Sequence, residues 1–217
     1  MTTANGAVAG ARTTDGEASS GSGIAATIFT TARQRGEGAV LNAKMFLHLA
    51  SRAAIDQALS RLARRGELLR VARGHYVLPV TGRFGSRAPT TAATLEALAA
   101  QSGERLVAGG AAAANGLGLT TQVPTRTVVW TSGRDRTLAL GRQRVELRHV
   151  PSWQLALGEG RAGAALRALV WLGRDHLELA LARLEAVLTA AERDELAAAR
   201  GALPDWLAAP LGRLAND

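Results

Sequence analysis

The stretch SRAAIDQALSRLARRGELLRVARGHYVLP, residues 51–79, constrains the fold more than any other part of the chain. Ser51 is a capping residue, because its hydroxyl can accept from the unpaired backbone donors of a first helical turn. Beyond it Ile55, Leu59 and Leu62 recur at i, i+4 and i+7, which places them on one helical face. Gly66 closes the helix, since a residue without Cβ takes the left-handed conformation there at little cost. Two extended runs follow, ELLRVA and HYVLP, joined through Arg73 and Gly74 in a tight hairpin. Upstream, Ile24, Ile28 and Ala32 lie four apart with Phe29 beside them and predict a first helix ending near RGEG. AVL at 39–41 reads as a short strand, and Asn42 caps a second helix whose buried side is Met45, Phe46 and Leu49. The order helix, strand, helix, helix, hairpin predicts a winged helix-turn-helix over residues 24–80.

The same segment holds the chain's positive charge. Residues 24–80 carry nine Lys or Arg (Arg33, Arg35, Lys44, Arg52, Arg61, Arg64, Arg65, Arg70, Arg73) against three acids (Glu37, Asp56, Glu67), whereas residues 151–217 carry seven against nine. The formal net charge of +8 is therefore local, and a local basic excess favours an anionic partner such as nucleic acid.

With Ile55, Leu59 and Leu62 inward, helical geometry turns Ala53, Gln57, Ser60, Arg61 and Arg64 outward, with Ser51 and Arg52 at the helix start. Arginine can bridge guanine O6 and N7 with two donors, glutamine can bridge adenine N6 and N7, and serine can reach a base or a phosphate. A small residue such as Ala53 near the N-terminal end lets a recognition helix sit deep in the major groove. Arg65, Arg70, Arg73 and His75 flank this stripe as candidate phosphate contacts, with Arg73 at the wing tip. The plainer reading is a solvated amphipathic helix whose terminal cations favour its dipole. The adjoining hairpin, with arginines of its own, weighs against it.

Residues 51–79 closely resemble the opening winged-helix domain of the AbiEi-type antitoxins of abortive-infection (type IV) toxin-antitoxin systems and the bacterial families grouped with them. GLGLTTQVPTRTVVWTSG, residues 116–133, resembles the second domain of one such family. The resemblance spans roughly residues 24–150. It implies a DNA-binding repressor of its own operon. The lack of cysteine is compatible with a cytoplasmic location, and the expected partner is double-stranded DNA at an operator with inverted repeats, whose two-fold symmetry suits a homodimer. A nucleotidyltransferase-like toxin encoded nearby would be its functional partner.

Outside the winged helix the sequence divides as follows. The first 23 residues, rich in Gly, Ser and Thr, read as a disordered tail without a basic leader and apolar stretch. Residues 81–89, TGRFGSRAP, read as a linker, and a second domain is expected over 90–217. In it TTAATLEALAAQSG and GGAAAANGLGL have helical composition, TRTVVWTSG, RTLALG and RQRVELRHV read as strands, and Leu and Ala return at helical spacing after Trp153. The expected class is α+β, an N-terminal winged helix-turn-helix plus a C-terminal mixed α/β domain ending in helices.

No catalytic constellation is apparent, and the expectation is a protein that is not an enzyme and holds no cofactor or metal. There is no cysteine, and the four histidines (His48, His75, His149, His176) lack the spacing that puts two imidazoles on one helical face. Neither a phosphate-binding glycine loop nor a GxSxG elbow occurs. SGRDR at 132–136 reads as a loop between strands rather than an anion site, although its arginines could touch the DNA backbone or a partner, and Asp175 beside His176 points elsewhere than a dyad requires. The run LVAGGAAAANGLGL at 106–119 is too short and too polar to span a membrane. Trp130, Trp153, Trp171 and Trp206 read as core or interface anchors, and LPDWLAAPLGRLA as a helix docked on the domain. The rival reading is a protein-interaction module that uses the winged helix as a platform, without specific DNA readout.

Overall fold

The computed structural model describes residues 15–83 and 85–214. The chain opens with helix α1 (Asp15–Arg35), strand β1 (Val40–Leu41), a 3-10 turn (Ala43–Phe46) and helix α2 (Arg52–Arg64). Strands β2 (Leu69–Ala72) and β3 (His75–Val77) complete the winged helix, with sheet order β1-β3-β2 and both pairs antiparallel.

Two details differ from the sequence reading. α1 starts at Asp15 rather than near Ile24, so the part of the expected tail from residue 15 is helical, while residues 1–14 lie outside the described residues. Once packing of Ile28 and Ala32 nucleates a helix, each further residue adds one hydrogen bond, which carries it through poor helix formers. The second helix shrinks to one 3-10 turn. Asn42 caps it as expected, accepting from the Lys44 N–H at 3.0 Å, but the three-residue period of that turn buries Ala43 and Phe46 and leaves Leu49 38% exposed.

Most of the expected linker 81–89 joins Val80, expected at the end of the winged helix, in a hairpin of β4 (Val80–Gly82) and β5 (Gly85–Arg87). Thr90 then caps α3 (Thr91–Ser102). A four-stranded sheet follows, built from β6 (Leu106–Ala108), β7 (Thr127–Thr131), β8 (Arg136–Leu140) and β9 (Gln143–His149) in the order β6-β7-β9-β8. β7 and β9 are parallel, and the other two pairs are antiparallel. Helix α4 (Gly110–Gly116) lies between β6 and β7 in the chain, and α5 (Arg161–Leu172), α6 (Leu177–Val187), α7 (Ala190–Ala198) and α8 (Asp205–Leu214) close the chain as a helical layer. This is the expected α+β class.

One core belongs to the winged helix alone: Ile28, Leu41, Phe46, Ile55, Leu59, Leu62, Leu68 and Tyr76. A second is shared. Val40, Val71 and Val77 from its small sheet pack with Leu98 of α3 and with Leu106, Val129, Leu138, Leu140, Val145 and Leu147 of the large sheet. Successive strand residues point to opposite faces, so Leu41 and Tyr76 serve the first core while their neighbours Val40 and Val77 serve the second. The winged helix is thereby fastened to the second sheet along its wing strands. The terminal helices form a separate core around Leu166, Leu169, Leu184, Leu196, Leu207 and Leu211. α4 meets α5 closely there, because a Cβ on Gly110 would lie 2.5 Å from the Trp171 Cβ and 2.6 Å from the Arg167 carbonyl oxygen. Among the described residues no helix is long and apolar enough to cross a membrane.

Candidate nucleic-acid interface

α2 is held at both ends by local chemistry. The Ser51 hydroxyl accepts from the Ala54 N–H at 3.3 Å, a cap worth about 1 kcal/mol. At the other end the Gly66 N–H donates to the Ala63 carbonyl and the Glu67 N–H to the Leu62 carbonyl, with Gly66 at φ 75°. This paired arrangement satisfies the carbonyls the helix leaves free and turns the chain sharply into β2. Between the ends Ile55, Ala58, Leu59 and Leu62 are buried, each of the three larger side chains contributing about 1.5–3 kcal/mol. Ala58, on the same face, was not among the positions singled out by spacing.

What remains outward is the expected stripe. Ser51, Arg52, Ala53, Gln57, Ser60, Arg61, Arg64 and Arg65 are all exposed. Their electrostatics differ. Arg52 pairs with Asp56 at 3.0 Å one turn along the helix, and Arg65 pairs with Glu67 at 2.9 Å. Glu37, the third acid of the segment, reaches Arg87 at 3.5 Å and accepts from the Thr90 N–H at 3.1 Å. Arg61 and Arg64 are thus left without an acidic partner among the described residues, side by side with Gln57 and Ser60. Exposed ion pairs contribute only about 0–1 kcal/mol, so Arg52 and Arg65 stay able to exchange their carboxylates for another anion.

The wing turns through Arg73 and Gly74, where Gly74 takes φ 72° and Ala72 faces His75 across the ladder. Arg70 and Arg73 are exposed, and the Arg70 Nε donates to the Ala72 carbonyl at 3.4 Å. His75 is half-buried, with Nδ1 3.0 Å from the Arg73 carbonyl oxygen. That oxygen only accepts, so Nδ1 carries the hydrogen and Nε2 is left for another partner. Val71, buried in the shared core between the exposed Arg70 and Arg73, ties the wing to β8.

The structure also adds cationic side chains that the sequence did not assign to this region. Lys44, on the 3-10 turn, and Arg134, on the loop before β8, line a cleft together with His75. Arg134 sits in the SGRDR stretch noted in the sequence; nothing in the linear order places it beside the wing. Among the described residues no three His, Asp or Glu side chains gather where they could hold a metal ion. The two shifted ionisations lie elsewhere. Burial lowers the pKa of Arg167 in α5, partly opposed by Glu159, and the Thr189 backbone hydrogen bond lowers that of Glu192 in α7.

Over residues 27–196 the chain matches a family of unknown function (DUF6088) and belongs to it. No curated protein matches it. Among solved structures it is similar to the RV2827C protein from Mycobacterium tuberculosis, at 15% identity over 89% of this chain and 76% of that one, with a TM-score of 0.48.

Proposed function

We propose that this member of the DUF6088 family is a sequence-specific DNA-binding transcriptional repressor whose α2 lies in the major groove and whose β2–β3 wing rests on the adjoining backbone. The observation that carries the reading is the outward stripe Ala53, Gln57, Ser60, Arg61 and Arg64. Its two arginines are unneutralised, and a wing bearing Arg70, Arg73 and His75 follows directly. Gln57, Ser60, Arg61 and Arg64 have side chains suited to base edges, Arg65, Arg70 and Arg73 suit phosphates, and Ser51, Arg52, Ala53 and His75 complete the contact surface. Repressors of this architecture pair on two-fold operators, so the expected complex is a homodimer on an inverted repeat in the chain's own upstream region.

The resemblance to AbiEi-type antitoxins supports a finer version, a cytoplasmic antitoxin autoregulating an operon shared with a nucleotidyltransferase-like toxin. In either version the protein binds rather than catalyses. A protein-interaction role has one observation in its favour, the exposure of Trp171 and Leu179 on the helical layer and of Val123 on the segment between α4 and β7, at 41%, 61% and 76%. It belongs to a different surface and is compatible with DNA binding by the winged helix.

A fluorescence-anisotropy titration of the full chain against duplexes tiling its own upstream region tests the reading. The expected result is one duplex bound at least a hundredfold more tightly than scrambled DNA at moderate salt. Equal affinity for all duplexes would overturn it in favour of the platform reading.

A further inference from the structure

The wing does not border solvent on all sides. Between it and the second domain lies an open cleft of about 860 Å³, walled by Asn42, Lys44 and His75 on one side and by Gln101, Ser102, Gly133, Arg134 and Arg136 on the other. Its one acid, Glu104, is already neutralised: the Arg136 guanidinium donates to it at 2.6 Å and the Thr131 hydroxyl at 3.0 Å. Lys44 and Arg134 have no acidic partner among the described residues, so the cleft is basic and continues the positive surface of the wing onto the second domain.

The loop that carries Arg134 is tied down by several hydrogen bonds. The Gly133 N–H donates to the Thr131 hydroxyl at 2.9 Å, and the Gly133 carbonyl accepts from His149 Nδ1 at 2.7 Å. Ser132 exchanges hydrogen bonds with the Arg105 backbone at 3.0 and 3.1 Å, Asp135 accepts from the His149 N–H, and Arg136 donates to the Arg134 carbonyl at 3.2 Å. A Cβ on Gly133 would overlap the Glu104 carboxylate, which packs directly against the loop backbone. All of this holds the backbone of Arg134 while its guanidinium stays exposed and unpaired. With the backbone already fixed, only the side chain's own rotamer freedom is lost when the guanidinium meets an anion.

We infer that the cleft seats the sugar-phosphate backbone of the duplex read by α2, with Lys44 on the winged helix and Arg134 on the second domain as phosphate contacts. The second domain then acts as the far jaw of a clamp whose near jaw is the wing. Because the wing is fastened to β8 through Val71, Val77, Leu138 and Leu140, the spacing between the jaws is fixed by the shared core. This rests on the DNA-binding reading above and extends its footprint beyond the winged helix.

The test uses the full chain as wild type, Lys44→Ala, Arg134→Ala, the double variant, and Arg61→Ala/Arg64→Ala. Each is titrated against the operator duplex and a scrambled duplex from 50 to 200 mM salt, with a hydroxyl-radical footprint of the operator complex. Each lost phosphate contact is expected to flatten the log-affinity against log-salt slope by about 0.9, a difference of about 3.5-fold over that salt range. The preference for operator over scrambled DNA should stay unchanged in the Lys44 and Arg134 variants, because phosphates carry no sequence information. Their footprint should shorten on the wing side. A double variant with the wild-type slope and footprint, while Arg61→Ala/Arg64→Ala loses operator binding, overturns the clamp and leaves the recognition helix standing. A wild-type protein without preference for any upstream duplex overturns both.

Discussion

Replacing Gly38 by alanine, with Gly36 by alanine as its control, tests the docking of the winged helix onto the second domain. Both glycines have φ 82°, a left-handed backbone that costs an L-residue about 1–2 kcal/mol. Their surroundings differ completely. A Cβ on Gly36 would meet nothing within 4 Å, whereas one on Gly38 would lie 2.5 Å from the carbonyl carbon and oxygen of Ala93 and 2.8 Å from the Thr94 nitrogen. Those atoms are backbone in the first turn of α3, tied by the Thr90 cap and the Thr94 hydroxyl, and have no flexible end to swing aside. Overpacking adds about 1–3 kcal/mol. Gly36→Ala should therefore lose about 1–2 kcal/mol and Gly38→Ala about 2–5 kcal/mol. At about 2–4 °C per kcal/mol for a chain of this size, Gly38→Ala should melt several degrees below Gly36→Ala. Urea melts read the same difference as a fall in midpoint at constant m-value. Equal losses for the two variants would refute the close approach of Gly38 to α3, and with it the rigid placement of the wing.

Other expectations are independent of that contact. Arg167 is 2% exposed with its Nε unpartnered and one Nη bonded to the Gly158 carbonyl, so Arg167→Met should melt within about 1 kcal/mol of wild type or above it, while Arg167→Ala should lose about 2–4 kcal/mol. The Glu192 carboxylate is held below its ordinary pKa chiefly by the Thr189 N–H, opposed by desolvation and helped by the Thr189 hydroxyl and Arg161. Its folded pKa being depressed, this contribution is present above the unfolded value of about 4.3 and lost as pH falls through the folded one. Wild type should then lose melting temperature relative to Glu192→Gln on acidification through that range, and parallel curves there would contradict the cap's electrostatic part. Gln57→Ala should cost about 1–3 kcal/mol on the operator and relax preference at a single base pair, read by titrating single-base operator variants.

The winged helix was legible because its elements announce themselves locally. Ser51, the Ile55–Leu59–Leu62 spacing, Gly66 and the Arg73–Gly74 turn each act within a few residues, and the structure places them as expected. The second helix was overestimated because Met45, Phe46 and Leu49 also fit a helical stripe, and one 3-10 turn suffices to bury Phe46. The hairpin of residues 80–87 was hidden by Gly, Ser and Pro in so short a segment. The shared core had a faint signal, since AVL and YVL are continuously apolar where a half-solvated wing sheet would alternate. In the candidate interface the outward stripe was visible, but the pairing of Arg52 and Arg65 with nearby acids was not read from their spacing. The arginines of SGRDR were open to a backbone contact from sequence, but the position of Arg134 beside the wing was not, because the antiparallel and parallel pairings of β8, β9 and β7 set where its loop lies.

The central claim is that the unneutralised arginines of α2 read DNA. The measurement that bears on it most directly is the affinity of Arg61→Ala/Arg64→Ala for the operator and for a scrambled duplex, alongside wild type at one salt concentration. The account predicts that the operator complex weakens by at least tenfold more than the scrambled one, so that discrimination collapses while the melting temperature holds. Unchanged discrimination in the folded double variant would contradict it and remove α2 as the reader.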